Sequence, residues 1–505
     1  MKHLIKILFL FGPMMCLNIS CSTLEEDTSS LLQVGVISTE ADIKANIAPI
    51  YRSVLNTNND PHYLRCATYG ADDITTWVAG NKAPLRVFDR FDYGSGENSD
   101  INWLNVAWDN YWNTIYVCNT LIEGLKTSTA PENLVKLADG EARVFRAHAY
   151  LNLVKIYGNV PILLDGYLPT GDEQRATVVE NYKQIESDLL IAENSLPAPG
   201  TEDTGRVSAG FAKTVLADLY LTWAGWPVKD QSKYSLAATK AKEIIDYGYY
   251  TLLPLDQLWT FDGAMSKETI FSVRVPSDES KWVNQATAFT FHQGRGFSDC
   301  FPELRFFYDF PEGPRKDYTF LLDIPNRGVK DGAMFDKTPA TIPWQDSDRA
   351  HPMYRKYVYS ENLTVFIRPV NFRPVELYRY AEVLLIYAEA QARLGENSSS
   401  IEALNEVKRR AAGLPYNVAN GTVDVASATP NEIVDEKGWE LAAENKRWFD
   451  LVRTERVAEM AAKRDPSEPV TLVRMPTEAQ YIAPIPAQSI NNSKLLQNPE
   501  GFKIN

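Results

Sequence analysis

Glu376-Leu-Tyr-Arg-Tyr-Ala-Glu-Val-Leu-Leu-Ile-Tyr-Ala-Glu-Ala-Gln-Ala-Arg-Leu394 decides the fold class. Leu377, Tyr380, Ala381, Leu384, Leu385, Ala388 and Ala392 recur at three- and four-residue spacing, which lays them along one helix face. Pro374 precedes the stretch and Gly395 follows it, where a helix starts and stops. Ile401 to Ala412 repeats the pattern and ends at Gly413, with Pro415 beyond. Two helices on a short turn make a helical hairpin.

The same unit recurs outward from there. Trp108 to Leu125 pairs with Glu141 to Tyr157, and Tyr182 to Leu196 with Ala209 to Trp223. Tyr234 to Tyr247 and Asn431 to Val452 supply further helices. Ala209, Ala212 and Ala217 are small enough for close helix approach. The expected fold is all-α dominated: tetratricopeptide-like hairpins forming a scaffold, with an irregular, loop-rich part packed on it. No clean period of about 34 residues is visible, so the repeats are degenerate. Asn56 to Asn102 and Pro254 to Pro374 are the irregular stretches, and only Thr269 to Val275 within them reads as a strand. Loops of that length are where function concentrates.

The chain's first twenty residues differ from the rest. Lys2 and Lys6 precede the mostly apolar Leu4 to Leu17, too short to span a bilayer and broken by Gly12 and Pro13, which reads as a secretory signal. Leu17-Asn-Ile-Ser-Cys21 resembles the cleavage box of bacterial lipoproteins, in which the cysteine carries the lipid; Asn18 departs from the usual aliphatic residue. The expected organisation is a signal over residues 1–20 and a single body over 21–505, its N-terminal region reaching 260 and its C-terminal region starting at 261. Among 505 residues, 51 are basic and 65 acidic, a net charge of −14. No basic run exists, which argues against nucleic acid as a partner. Cys66, Cys118 and Cys300 lack CxxC spacing, so neither a disulfide framework nor a zinc site is expected.

Motifs of catalysis are missing. HExxH, GxSxG and GxxxxGK[ST] do not occur, and Gly94-Ser-Gly96 and Gly294-Arg-Gly296 read as turns. His148 lies in an apolar helix, as a core histidine does. Glycoside hydrolysis needs two carboxylates facing each other at roughly 5 Å or 6.5–9.5 Å, and 65 acidic residues make such pairs uninformative. The expectation is a binding protein, not an enzyme, with no cofactor and no metal; Asp-rich loops leave calcium open, without EF-hand spacing.

Several blocks, in order, carry a resemblance. They are Gly140-Glu-Ala-Arg-Val-Phe-Arg-Ala-His-Ala-Tyr-Leu-Asn-Leu-Val-Lys-Ile-Tyr-Gly-Asn-Val-Pro161, Gly205-Arg-Val-Ser208, Arg379 to Ala390 with Leu404 to Ala411, Arg447-Trp-Phe-Asp-Leu-Val-Arg453, and Pro484-Ile-Pro486 with Gln497-Asn-Pro499. Together they resemble the SusD/RagB family of SusD-like outer-membrane nutrient-binding lipoproteins, across essentially the whole mature chain. Lys437, where arginine is usual, and Glu500 depart from its pattern. The resemblance implies four helical hairpins in one body and a lipid on Cys21 anchoring it in the outer membrane, facing outward. It also implies a SusC-like TonB-dependent transporter as partner, with the protein as a lid that captures glycan. Peptide capture by the same lid, or a scaffold for surface complexes, are the alternatives. The motif residues are expected to be structural: Arg447, Asp450 and Arg453 pairing charges, Trp448 and Phe449 filling the core.

A saccharide site needs aromatic faces for C–H surfaces and polar anchors for hydroxyls. In the irregular stretches Trp77, Arg86, Trp103, Asn105, Trp282 and Trp344 are the candidate ligand-binding residues, with Phe297 nearby. Each aromatic could equally pack in the core.

Overall fold

A computed structural model describes residues 36–59, 66–78, 82–93, 102–164, 166, 170–202, 205–274, 289, 298–330, 333–357 and 373–498. Its long helices, in chain order, are α1 (Glu40–Asn59), α2 (Ala83–Asp89), α3 (Asn102–Leu125), α4 (Glu132–Tyr157), α5 (Val178–Ser195), α6 (Ala209–Ala224) and α7 (Lys233–Asp246). The C-terminal set is α8 (Tyr380–Leu394), α9 (Asn397–Ala411), α10 (Pro430–Glu440) and α11 (Arg447–Arg453). Helices α3 to α7 pack each on the next, α1 covers α3, and α8 seats on α7 before turning into α9. The expected hairpin scaffold is the observed one.

Local chemistry sets the helix ends. Thr177 caps α5: its hydroxyl accepts from Glu180 N–H at 3.2 Å while the Glu180 carboxylate accepts from Thr177 N–H at 2.8 Å. Thr429 and Glu432 do the same for α10. Two orphan amides are satisfied at each start, worth about 1 kcal/mol. Gly395 ends α8 in the left-handed region at φ 85°, which costs glycine nothing.

Three expectations need correction. The helix expected from Glu376 starts at Tyr380, because Val375–Arg379 is a strand, β6, antiparallel to β2 (Thr269–Val273) with Phe271 opposite Tyr378. The run Asn431 to Val452 is two helices, since Ala443 and Asn445 adopt left-handed φ of 61° and 64° between α10 and α11. The stretch 254–374 holds, besides β2, a short β3 (Cys300–Phe301) and a hairpin of β4 (Asp323–Lys330) and β5 (Ala333–Pro343). Helix α1 adds to the expected set. It lies ahead of the irregular region and buries Ile43, Ile47, Ile50 and Val54.

Charged groups are part of this core. Arg379 reaches Glu268 at 3.0 Å and Glu444 at 2.8 Å, Arg410 reaches Glu268 at 3.1 Å, and Arg315 reaches Glu436 at 2.6 Å and Glu440 at 3.1 Å. Burial alone would push the Glu440 carboxyl up. Arg410, Arg379 and Arg315 overcome it and hold Glu440 well below the usual carboxylate range. Such a cluster survives burial only because every charge has a hydrogen-bonded partner.

Candidate functional site

The irregular part meets the scaffold at a corner built on Thr75 and Thr76, which pair with Phe301 and Cys300 as a two-residue ladder, β1 with β3. Asp89, fully buried at the end of α2, fixes this corner. Its carboxylate accepts from Thr76 N–H at 2.9 Å, Thr76 Oγ1 at 2.8 Å and Thr75 Oγ1 at 3.0 Å, and pairs with Arg464 at 2.7 Å. Trp77 follows directly, its N–H donating to the Asp299 carbonyl at 3.0 Å.

Around Trp77 the structure assembles two guanidinium groups. Arg86 donates to the Trp77 carbonyl at 3.2 Å, and the Arg349 guanidinium lies 4.1 Å from the Trp77 ring centroid. Arg349 is itself aimed by Ser298 Oγ at 3.1 Å and Asp348 at 3.1 Å. Lys82 pairs with the buried Asp299. The result is a half-buried indole held against a cation, with hydrogen-bonding groups beside it. Chemically it offers a flat apolar surface and fixed hydrogen-bond donors.

The other candidate residues fall elsewhere. Trp344 is a core residue: it is 8% exposed, and its indole stands edge-on to Phe307 at 5.9 Å. Phe307 continues into Phe320 and Phe310, so the indole fills an aromatic cluster rather than offering a face. Asn105 lies in the first turn of α3, and its Oδ1 is buried without a hydrogen-bond partner. The side chain of Trp103, like Cys21, Trp282 and Phe297, lies outside the described residues. Arg349, Ser298 and Asp299 escape sequence reasoning; nothing in their local sequence marks them.

The motif residues are cross-braces. Arg206 Nε donates to Glu141 at 2.9 Å, and Tyr51 OH joins them at 3.0 Å, tying two of the sequence blocks together. Arg453 pairs with Glu389 at 2.6 Å and with Asp450 at 2.9 Å, and Lys437 also reaches Asp450, at 3.1 Å. Trp448 is 3% exposed, as expected. Phe449 departs from expectation: it is only half-buried and lines an internal polar chamber.

That chamber, of about 90 Å³, is bounded by α4, α6, β6 and the turn before α11. Asp218 accepts from Lys155 at 2.6 Å and Tyr378 OH at 2.6 Å, while Lys446 stands 3.6 Å above the Tyr378 ring. His148 faces it with its pKa pushed down to about 3, by burial and then by Lys446 and Lys155. Its ring is neutral at physiological pH. Among the described residues no group of three or more His, Cys, Asp or Glu is placed to hold a metal ion. None of their helices is long and apolar enough to cross a membrane.

Scaffold and corner together define a class: a helical-hairpin protein with a loop-rich part packed on its scaffold. Two family models match in succession, one described as "Starch-binding associating with outer membrane" over residues 27–221 and one for the SusD family over 324–501. The chain belongs to the SusD/RagB family. It is 26% identical to SusD-like protein P2 of Formosa agariphila, over 96% of this chain and 97% of that one. Its fold is that of a SusD superfamily protein from Parabacteroides distasonis, with a TM-score of 0.75 and 23% identity over 91% of this chain and 98% of the other. Surface glycan-binding protein A from Bacteroides fluxus superposes with a TM-score of 0.73 and 23% identity, covering 92% and 99%.

Proposed function

We propose that this protein is a cell-surface lipoprotein that captures glycan and passes it to a SusC-like TonB-dependent transporter in the outer membrane. The lipid sits on Cys21 and the body faces the exterior. The protein binds and delivers, with no covalent chemistry of its own. One observation carries the reading: an indole, Trp77, whose backbone is held by the Asp299 carbonyl and the Arg86 guanidinium and whose ring lies against Arg349. Indole faces pack on the C–H faces of sugars, and fixed guanidinium donors meet hydroxyls. Family membership and the glycan-binding name of a structural neighbour support the same reading. In this proposal Trp103, Asn105 and Trp282 complete the site, and Trp344 supports it from the core.

Calorimetry of the mature protein against maltohexaose, laminarihexaose, cellohexaose, xylohexaose and mannohexaose tests it. Saturable heat with one glycan, weakened at least tenfold by Trp77→Ala, is the expected result. Heat from extended peptides and silence from every glycan would overturn it in favour of peptide capture.

A further inference from the structure

On helix α3, away from the Trp77 corner in sequence and in fold, Asp109, Trp112 and Tyr116 are spaced three and four residues apart. They therefore line one face over roughly 10 Å of helix. Across from them stand the 170–173 loop and the C-terminal segment around Gln488 and Asn492, leaving a groove of about 730 Å³. That volume is in the range of small-ligand sites, about 300–1,000 Å³.

The walls are braced. Lys494 N–H donates to the Gly171 carbonyl at 2.7 Å, locking the C-terminal segment to the loop. Tyr150 OH exchanges hydrogen bonds with both backbone groups of Leu163 at 2.8 Å. The Trp112 ring is held edge-on by Trp108 at 5.6 Å and by Tyr150 at 5.8 Å.

Within this braced groove the polar groups are unspent. The Trp112 indole N–H is buried with no hydrogen-bond partner, a state that costs free energy until a partner arrives. Tyr116 is 48% exposed. Gln488 and Asn492 are exposed amides. Asp109 has no cation beside it among the described residues, and partial burial alone raises its carboxyl.

We infer that this groove is a second saccharide-binding site, independent of the Trp77 corner, which takes a short stretch of a neutral oligosaccharide. Tyr116 and the Trp112 edge supply the aromatic wall. Sugar hydroxyls donate to Asp109 and exchange hydrogen bonds with Gln488 and Asn492. A peptide strand fits less well. Such a strand is recognised through free backbone groups at a sheet edge, and α3 satisfies its own backbone internally. An anionic ligand is disfavoured by Asp109 and by the protein's net charge of −14. The inference rests on the glycan-capture reading for its ligand class only; the groove itself does not depend on the corner.

The test is calorimetry of the mature protein with the same five hexasaccharides, comparing wild type, Trp77→Ala, and a groove variant carrying Trp112→Phe and Tyr116→Ala. Phenylalanine keeps an aromatic ring against Trp108 and Tyr150 while removing the N–H together with part of the indole, and an unchanged thermal melt certifies the fold. The expected result is a binding event that survives Trp77→Ala and weakens at least tenfold in the groove variant. Wild-type affinity and stoichiometry in the groove variant for every saccharide would overturn the groove while leaving capture at the corner intact. Loss of all binding in Trp77→Ala would also overturn it. Silence of the wild type toward all five sugars would overturn the groove and the capture reading together.

Discussion

Arg447 and Asp72, 375 residues apart in sequence, share a bidentate ion pair, Nε to Oδ1 at 2.7 Å and Nη2 to Oδ2 at 2.9 Å. Asp73, next in the chain, is buried and accepts the Ala443 N–H at 2.8 Å. The irregular region is thus clamped, just before the strand that leads to Trp77, onto the turn between α10 and α11 and the first residue of α11.

Removing the guanidinium strands a carboxylate that is 16% exposed. Arg447→Ala is expected to destabilise the protein by about 3 kcal/mol, the lower end for a broken buried pair. Arg447→Lys recovers only part of this, because an ammonium cannot engage both oxygens in parallel. Urea unfolding of the two variants measures both values.

Asp73 sets a pH dependence. Burial, then the neighbouring Asp72, raises its pKa from an ordinary 3.8 to about 6. Between those two values the unfolded chain releases the proton while the folded one keeps it. The group's stabilising contribution is therefore complete below pH 3.8, falls as pH rises, and is lost above about 6. Asp73→Asn keeps an acceptor for Ala443 and removes the ionisation. The variant is expected to be more stable than wild type at pH 7, by up to ~3 kcal/mol, and to show a flatter stability profile between about pH 4 and 6. Denaturant midpoints across that range decide it.

Gly70 is a packing necessity. A Cβ there would stand 2.7 Å from both the Phe91 ring and the Trp448 ring, and neither can retreat from a filled core. Gly70→Ala is expected to cost about 2 kcal/mol, by overpacking. A thermal melt reads it directly.

Arg349 separates binding from stability. Its cation–π contact with Trp77 is worth about 1 kcal/mol and its hydrogen bonds to Ser298 and Asp348 add about as much, so Arg349→Ala is expected to lower the melting temperature by only a few degrees. Saccharide affinity at the corner is expected to fall roughly tenfold, since the indole loses its backing and the ligand a donor. Calorimetry beside a melt on the same preparation checks the pair of outcomes.

Legibility in the sequence depends on range. Helices α5 and α6 are readable because apolar spacing and bounding residues are local, and α5 carries a capping box at Thr177 and Glu180. Strand β6 passes for helix because its residues are mostly buried on both faces, so Leu377 fits the helical stripe that continues from Tyr380 in α8. The break after α10 is invisible, for an alanine at φ 61° gives no sign of itself in sequence. Strands β4 and β5 carry Pro325 and Pro339, and the Lys337 to Thr341 run of β5 is exposed at every position, so no apolar alternation announces the hairpin. At the site, Trp77 and Arg86 are within reach of a sequence reading because they are neighbours in the chain. Arg349 is not, because only the folded chain brings it to the indole. Trp344 misleads because a tryptophan in an irregular stretch looks the same whether it lines a surface or fills a cluster.

The cross-chain braces also impose an order of events. Asp89 waits for Arg464, Asp73 for Ala443, and the carbonyl of Tyr157 for Asn498. While the chain emerges from its N-terminus, Asp89 has Thr75 and Thr76 but no cation, and Asp73 and the Tyr157 carbonyl lack these C-terminal donors; closing the core around them would cost several kcal/mol. The parts of the first half that carry these groups are therefore expected to stay open until the C-terminal segment from Ala443 onward exists. A polypeptide that stays open while it is still incomplete can be threaded through a narrow passage before it sets. Stopped early, it leaves an open, protease-sensitive strand instead of a smaller working version of the protein.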